Sequence, residues 1–379
     1  MEKQHKKLSL TTWIFCLPIF LHAQGLTLPP SGDNQKSVVS QYMGIVESRF
    51  TYNSPDVTGP GGEDRKGKIW GQLVPWGMTN LGFGTAKESP WRAGANENTV
   101  FTVSHDVLIS GKTLNAGIYG FHIIPNETGP WTLIFSKNSS SWGSFYYDPS
   151  EDALRVEVAP VACEYNEWLT FGFEDRHLAS CTAFLKWENM KVPFKIEVPD
   201  INRVYLEKIR DDLRSSIGFS WTNWAGAAQF CVNRKINLEE ALLWADNAIS
   251  LPFIGQENFT TLQTKSQVLF ALGKEAEAKE LMVKAVHHPT ASVNDIHQYG
   301  RALLNSGKNQ EAMEVFKVNR EINSGDTFTT YVGLARGYAA IGDKKNAVKN
   351  WEIAIKNIPE EQKVNLTFYQ SELEKVKEL

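Results

Sequence analysis

Four alanines constrain this chain more than any other feature. Ala241, Ala278, Ala312 and Ala347 recur at intervals of 37, 34 and 35 residues. Four residues after each stands Ala245, Met282, Phe316 or Trp351, and three further on Ala248, Ala285, Asn319 or Ala354. Gly273, Gly307 and Gly342 lie five residues before the last three alanines, and Pro289 and Pro359 close two of the units. Such a small–large–small series marks where paired helices touch. Alanine permits close approach, the larger side chain fills the groove, and glycine turns the chain between helices. A sequence that repeats itself with this period builds a stack of helix pairs sharing one continuous core.

The pattern resembles the tetratricopeptide repeat, about 34 residues long. Three units match well and the one around Ala241 is degenerate. The resemblance implies either peptide or protein binding or a platform for a neighbouring domain.

Before about Leu206 the period is different. Short apolar or alternating runs follow one another: Ile45–Tyr52, Thr99–Val103, Val107–Ser110, Ile118–Ile124, Trp131–Ser136, Leu154–Val158, Trp168–Phe173, Thr182–Trp187 and Val192–Val198. The breaks carry turn formers such as Gly111-Lys112, Pro125-Asn126, Asp148-Pro149 and Glu188-Asn189. Many short strands without an intervening helical period predict an all-β sandwich or barrel. Gly117 followed by Tyr119 at a strand start favours an immunoglobulin-like β-sandwich, by analogy of fold alone. The expected organisation is thus an all-β N-terminal domain over 41–200 and an all-α helical-repeat domain over 201–379. A polar, proline-containing stretch at 24–40 reads as a flexible lead-in.

Residues 1–23 read as a signal peptide. Lys3, Lys6 and Lys7 precede an apolar stretch, Leu8–Leu21, shorter than the roughly 20 residues that span a bilayer, and Ala23 offers a small residue for cleavage. Bulky Trp13-Ile14-Phe15 ahead of Cys16 argues against lipidation. The expectation is an exported protein, periplasmic or associated with the cell envelope, with no transmembrane span after cleavage. Loss of this segment moves the formal charge from −4 to −6, because three lysines and Glu2 leave with it. An acidic chain lacks the basic footprint of a nucleic-acid binder. Export permits disulfides, and Cys163 with Cys181, both in strand-like segments, is the candidate pair; Cys231 reads as a small buried helix residue.

No HExxH, GxSxG or GxGxxG occurs. Gly111-Lys112-Thr113 lacks the upstream glycine of a phosphate loop, since position 106 is Asp, and reads as a strand turn. His287-His288 read as surface or capping residues at a helix end. No cofactor and no metal site is implied. One cluster does carry chemistry. Trp91-Arg92-Ala93-Gly94-Ala95-Asn96-Glu97 packs a cation, an amide, a carboxylate and an aromatic ring around small residues, and His122 lies in an otherwise apolar strand. Three readings compete. Arg92 and Glu97 form a buried ion pair that fixes a loop, with His122 a satisfied core residue. Or Arg92, Asn96, Glu97 and His122 bind a small ligand, with Trp70, Trp76 and Trp91 as a sugar platform rather than core. Or Glu97 and His122 act as an acid–base pair in a hydrolase.

Gly71-Gln72-Leu73-Val74-Pro75-Trp76-Gly77, Trp91–Glu97, Ala116–Pro125 and Trp131–Phe135, in that order, resemble the bacterial "domain of unknown function 2911" family. The likeness covers about residues 40–200, and the helical remainder resembles the tails that some members carry. The departure is Met78–Pro90, which lengthens the link between Gly77 and Trp91 and would alter the ligand if that link shapes a pocket. The resemblance bears on fold and export, and it implies no activity. The sequence therefore points first to an exported binding or scaffold protein. Its β domain would recognise an envelope glycan or small ligand, and its repeats a protein partner.

Overall fold

The computed structural model describes residues 31–378. The expected signal peptide and Cys16 lie outside them. The chain divides into two compact units, the first ending at Ile201 and the second starting at Asn202.

The first unit holds two antiparallel sheets. One has six strands in the order β1 (Gln35–Met43), β2 (Val46–Ser54), β3 (Thr99–Val103), β6 (Gly117–Ile124), β7 (Trp131–Ser136) and β8 (Asp152–Val158). The other runs β5 (Lys112–Leu114), β4 (Val107–Ile109), β10 (Ser180–Glu197) and β9 (Val161–Glu174). Alternation along the strands aims phenylalanines of both sheets at one another. Phe50 of β2 stacks on Phe171 of β9 at 4.5 Å between centroids, and Phe121 of β6 stacks on Phe194 of β10 at 5.9 Å. Phe101 and Phe135 complete a fully buried ring cluster. Aromatic pairs in such geometries contribute about 0.5–1.5 kcal/mol beyond their burial.

Three expectations change here. The lead-in is not flexible up to residue 40. Gln35–Ser40 are the first residues of β1, which pairs with β2 from Gln35↔Ser54 to Met43↔Val46. β1 is an edge strand with much of its surface in water, so its polar composition mimicked a loop. Thr182–Trp187 and Val192–Val198 are one strand rather than two. The sequence break at Glu188 is a bulge: Glu188 has φ 53° and the register shifts on either side of it. The third correction concerns Cys163 and Cys181. Cys181 lies beside the Thr182↔Glu174 pair near the β9–β10 turn, and Cys163 beside Ala162↔Met190 toward the other end. Their separation along the hairpin is on the order of 35 Å, whereas a bridge needs Cα atoms within about 7 Å. Both thiols are free. Gly111-Lys112-Thr113 forms the β4–β5 turn and the start of β5, with Ser110 at φ 47° and Gly111 at φ 83°.

The second unit opens with α1 (Ile201–Leu213) and continues as paired helices: α2 (Trp221–Arg234) with α3 (Leu238–Ser250), α4 (Phe259–Ala271) with α5 (Glu275–Val286), α6 (Val293–Asn305) with α7 (Asn309–Ile322), and α8 (Thr329–Ala340) with α9 (Lys344–Lys356), followed by α10 (Leu366–Glu378). All twelve phased positions are buried on the second helix of their pair. Even the polar one is used: Asn319 Nδ2 donates to the Val293 carbonyl at the start of α6, at 3.0 Å. Gly273, Gly307 and Gly342 occupy the turns within three pairs at φ 79°, 73° and 80°, a region that costs other residues dearly. His287 ends α5 with its ring on the Val283 carbonyl, the capping role expected of it. Among the described residues no helix is long and apolar enough to cross a membrane.

Candidate functional site

The long connection from β2 to β3 builds the site. It is irregular but anchored. Trp91 exchanges two backbone hydrogen bonds with Ile123 of β6, at 2.8 and 2.9 Å, so the segment docks beside the six-stranded sheet. Buried Glu188, at the β10 bulge, accepts the Gly67 amide and ties down the earlier part. Residues 78–90, the lengthened link, form a small excursion closed by reciprocal bonds between Thr79 and Ser89. The excursion leans on the 142–147 segment. The Thr85 and Ala86 amides both donate to the Phe145 carbonyl, and Ser89 Oγ donates to that of Ser144. Tyr147 donates to Asp152, which also accepts Arg155 Nε, and so pins this segment to β8.

Between these pieces lies a cleft of about 480 Å³, lined among others by Thr79, Leu81, Trp91, Arg92, Asn96, Trp142, Phe145 and Trp187. Arg92 is its only half-buried cation without an ion-pair partner among the described residues. Its Nη1 donates to the Asn96 carbonyl at 2.5 Å, and its guanidinium lies 5.4 Å from the Phe145 ring centroid. Gly143 makes room for it, since a Cβ there would sit 2.6 Å from Nη1. Burial pushes the Arg92 proton affinity down, the mark of a charge stripped of water and not repaid by a carboxylate. The loop that carries it is strained: Ala93 and Asn96 both have positive φ, 51° and 55°. Strain of this kind gathers at functional sites and costs on the order of 1–3 kcal/mol per residue.

The structure separates the remaining sequence candidates. Arg92 and Glu97 form no ion pair. Glu97 turns the other way, accepts Asn53 Nδ2 at 2.6 Å and lies 3.9 Å from Lys36 Nζ. Positive φ at Asn96 reverses the chain between the two residues. His122 is buried, with Nδ1 3.1 Å from Ser144 Oγ, and neither it nor Glu97 lines the cleft. Burial first, and the Arg92 charge second, hold the His122 pKa down at about 4, so the ring is neutral at pH 7. Glu97 and His122 each bond to other partners, and no hydrogen bond joins them among the described residues. Trp70 and Trp76 belong to a tryptophan cluster with Trp91, Trp131 and Trp187; Trp70 meets Trp91 edge-on at 5.6 Å and Trp131 at 4.9 Å. Trp70 and Trp76 pack within this cluster and do not line the cleft, while Trp91 both packs and faces it. Trp142, Phe145 and Trp187 were not legible as site residues from sequence. Phe145 and Trp142 lie in a turn-rich segment, and Trp187 reads as an ordinary inward strand residue.

No curated protein matches the chain. Solved structures do match it, and two of them are described as tetratricopeptide-repeat proteins. One, from Parabacteroides merdae, is 15% identical, covering 45% of this chain and 68% of that one, with a TM-score of 0.30. YrrB, described as a tetratricopeptide-repeat protein with an unusual peptide-binding site, is 22% identical over 45% of this chain and 84% of its own, with a TM-score of 0.29. MamA from Desulfovibrio magneticus is 18% identical over 42% and 94%, with a TM-score of 0.27. The repeat architecture rests on the chain's own helix pairing rather than on these likenesses. The residues that line the cleft all fall within 34–196, the span that matches the model of the family described as Protein of unknown function (DUF2911).

Proposed function

We propose that this protein is an exported binding and scaffold protein, in which the Arg92 cleft recognises an envelope ligand and the helical repeats bind a protein. Export is supported by the lysines, apolar stretch and Ala23 of residues 1–23. The immunoglobulin-like sandwich reading is supported by the phenylalanine contacts between the two sheets. Protein binding by the repeats is supported by the stacked helix pairs, an architecture that presents extended surfaces.

Ligand recognition rests on one observation: Arg92, half-buried in an aromatic-walled cleft, meets a carbonyl and a ring but, among the described residues, no carboxylate. A guanidinium carries five N–H donors. A ligand carboxylate would take a bidentate pair, and the Trp91 and Trp142 rings would cover a sugar face. An acidic glycan fragment, such as a piece of peptidoglycan, fits that chemistry. A hydrolase acting through Glu97 and His122 has no such support.

The test is thermal unfolding of the protein with acidic and neutral glycans, peptidoglycan fragments and divalent metals. A ligand at a hundred times its dissociation constant adds about 2.7 kcal/mol, which moves the midpoint by several degrees. The expected result is a shift with acidic fragments in the wild type and none in a folded Arg92→Met variant. An equal shift in both would remove the Arg92 cleft from the reading.

A further inference from the structure

The second unit contains a cleft of about 360 Å³ that the reading above does not use. It lies among α6, α8 and the segment leading into α10, and its walls include His297, Gln298, Arg301, Arg336, Asn365 and Tyr369. Among the described residues no Asp or Glu lines it. Arg301 and Arg336 each lack an ion-pair partner among the described residues. Arg301 has a weak 3.3 Å bond to Gln298 Oε1. The Arg336 guanidinium lies 5.8 Å from the Trp351 ring and 6.0 Å from the Phe368 ring, and its Nε is buried with no hydrogen-bond partner among the described residues. Buried His297 likewise has an Nδ1 without a hydrogen-bond partner among the described residues.

Carboxylates near this cluster are committed elsewhere. Glu372, whose charge reaches Arg336, is paired with Lys375 at 2.6 Å. Asp326, whose charge reaches His297, accepts the Phe328 and Thr330 amides at the start of α8. Two cations thus share one cleft and each other's repulsion, and burial holds the Arg336 proton affinity down. Unpaired buried charge is costly, and a protein keeps it where something else supplies the counter-charge.

We propose that the cleft among α6, α8 and α10 is an oxyanion-binding site, in which Arg301 and Arg336 neutralise a carboxylate or phosphate group and Gln298 and Asn365 supply neutral donors. Charge-assisted bonds of this type are about twice as strong as neutral ones. The group arrives either on a free small anion or on an acidic peptide segment, and both use the same donors. The site is independent of the Arg92 cleft, so either can fail alone.

The experiment is calorimetric titration of the protein with inorganic phosphate, with succinate, and with a short N-acetylated peptide ending in Asp-Glu. Arg301→Gln and Arg336→Gln are run beside the wild type, and melting checks that each folds. The proposal expects binding by at least one probe, weakened tenfold or more in Arg301→Gln, whose half-buried side chain the fold needs less. Binding by phosphate or succinate assigns a free anion, and binding by the peptide alone assigns a peptide carboxylate. A second readout is the His297 ring in proton NMR. Its titration midpoint, about 4 without ligand, should rise when the anion binds. Absence of binding by all three probes, or binding undiminished in a folded Arg301→Gln, overturns the proposal.

Discussion

At the scale of the residue, burial decides chemistry before sequence neighbours do. His122 and His297 sit in different units, yet both have pKa values held at about 4 by desolvation first and by nearby arginines second. The unfolded chain takes up these protons near pH 6.5, the folded one only near 4. Between those values the unfolded state binds more protons, so stability is retained above about 6.5 and falls as the pH drops toward 4. Each ring accounts for on the order of 3 kcal/mol across that window. Denaturant unfolding from pH 7 to 4 should show the loss, and His122→Gln should flatten its pH slope whatever it does to stability at pH 7. An unchanged slope would mean that the His122 ring has the same proton affinity in the folded and the unfolded chain. The thiols follow the same rule. Cys181 and Cys231 are buried and pushed up to about 11 by desolvation, while Cys163 is only half-buried. Alkylation followed by peptide mapping should therefore label Cys163 in the native protein and the other two only after unfolding. The sequence, which tells nothing of distance across a hairpin, offered Cys163 and Cys181 as a pair.

At the scale of the element, two glycines seven residues apart show two different reasons for the same residue. Gly307 sits at φ 73° with open space where a Cβ would go. Gly300, on α6, would place a Cβ 2.4 Å from the Phe316 ring. Gly307→Ala should cost about 1–2 kcal/mol through the backbone alone, and Gly307→Asn less, because Asn tolerates that conformation. Gly300→Ala should cost about 1–3 kcal/mol through overpacking, and Gly300→Asn more. Urea unfolding of the four variants separates the two causes. Gly307 was legible from sequence, because its distance from Ala312 repeats in other units; Gly300 was not, because its partner Phe316 is a contact in space. The strands divide in the same way. Thr99–Val103 and Trp131–Ser136 match their sequence limits because both are bounded by turn formers. β1 was missed because an edge strand need not alternate strongly, and β10 was split because Glu188-Asn189 is chemically a turn even where the fold makes it a bulge. Arg92 was found and its partner misassigned for a related reason: Glu97 is five residues away in sequence, but the reversal at Asn96 sends it to Asn53 and Lys36.

At the scale of the whole molecule, each unit has its own core. The phenylalanine cluster serves the first, and the second has a series of clusters that pass from pair to pair, from Leu206 and Trp244 to Trp351 and Leu373. Residues 31–201 and 202–379, expressed separately, should each unfold with a cooperative transition, the helical piece less sharply because its contacts are between neighbours. Calorimetry of the two pieces checks this, and a failure of either to fold would mean that its core is incomplete. The excursion at residues 78–90 carries a different consequence. It leaves and rejoins the connection through one pair of residues, Thr79 and Ser89, and it contributes Leu81 to the cleft without belonging to any strand. Its other main-chain ties among the described residues run to the 142–147 segment and to no strand of the sheet. Lengthening, shortening or rewriting it would reshape the mouth of the cleft while the sheet below keeps its register, so that, on the reading proposed above, ligand preference would diverge at a rate that the fold itself does not limit.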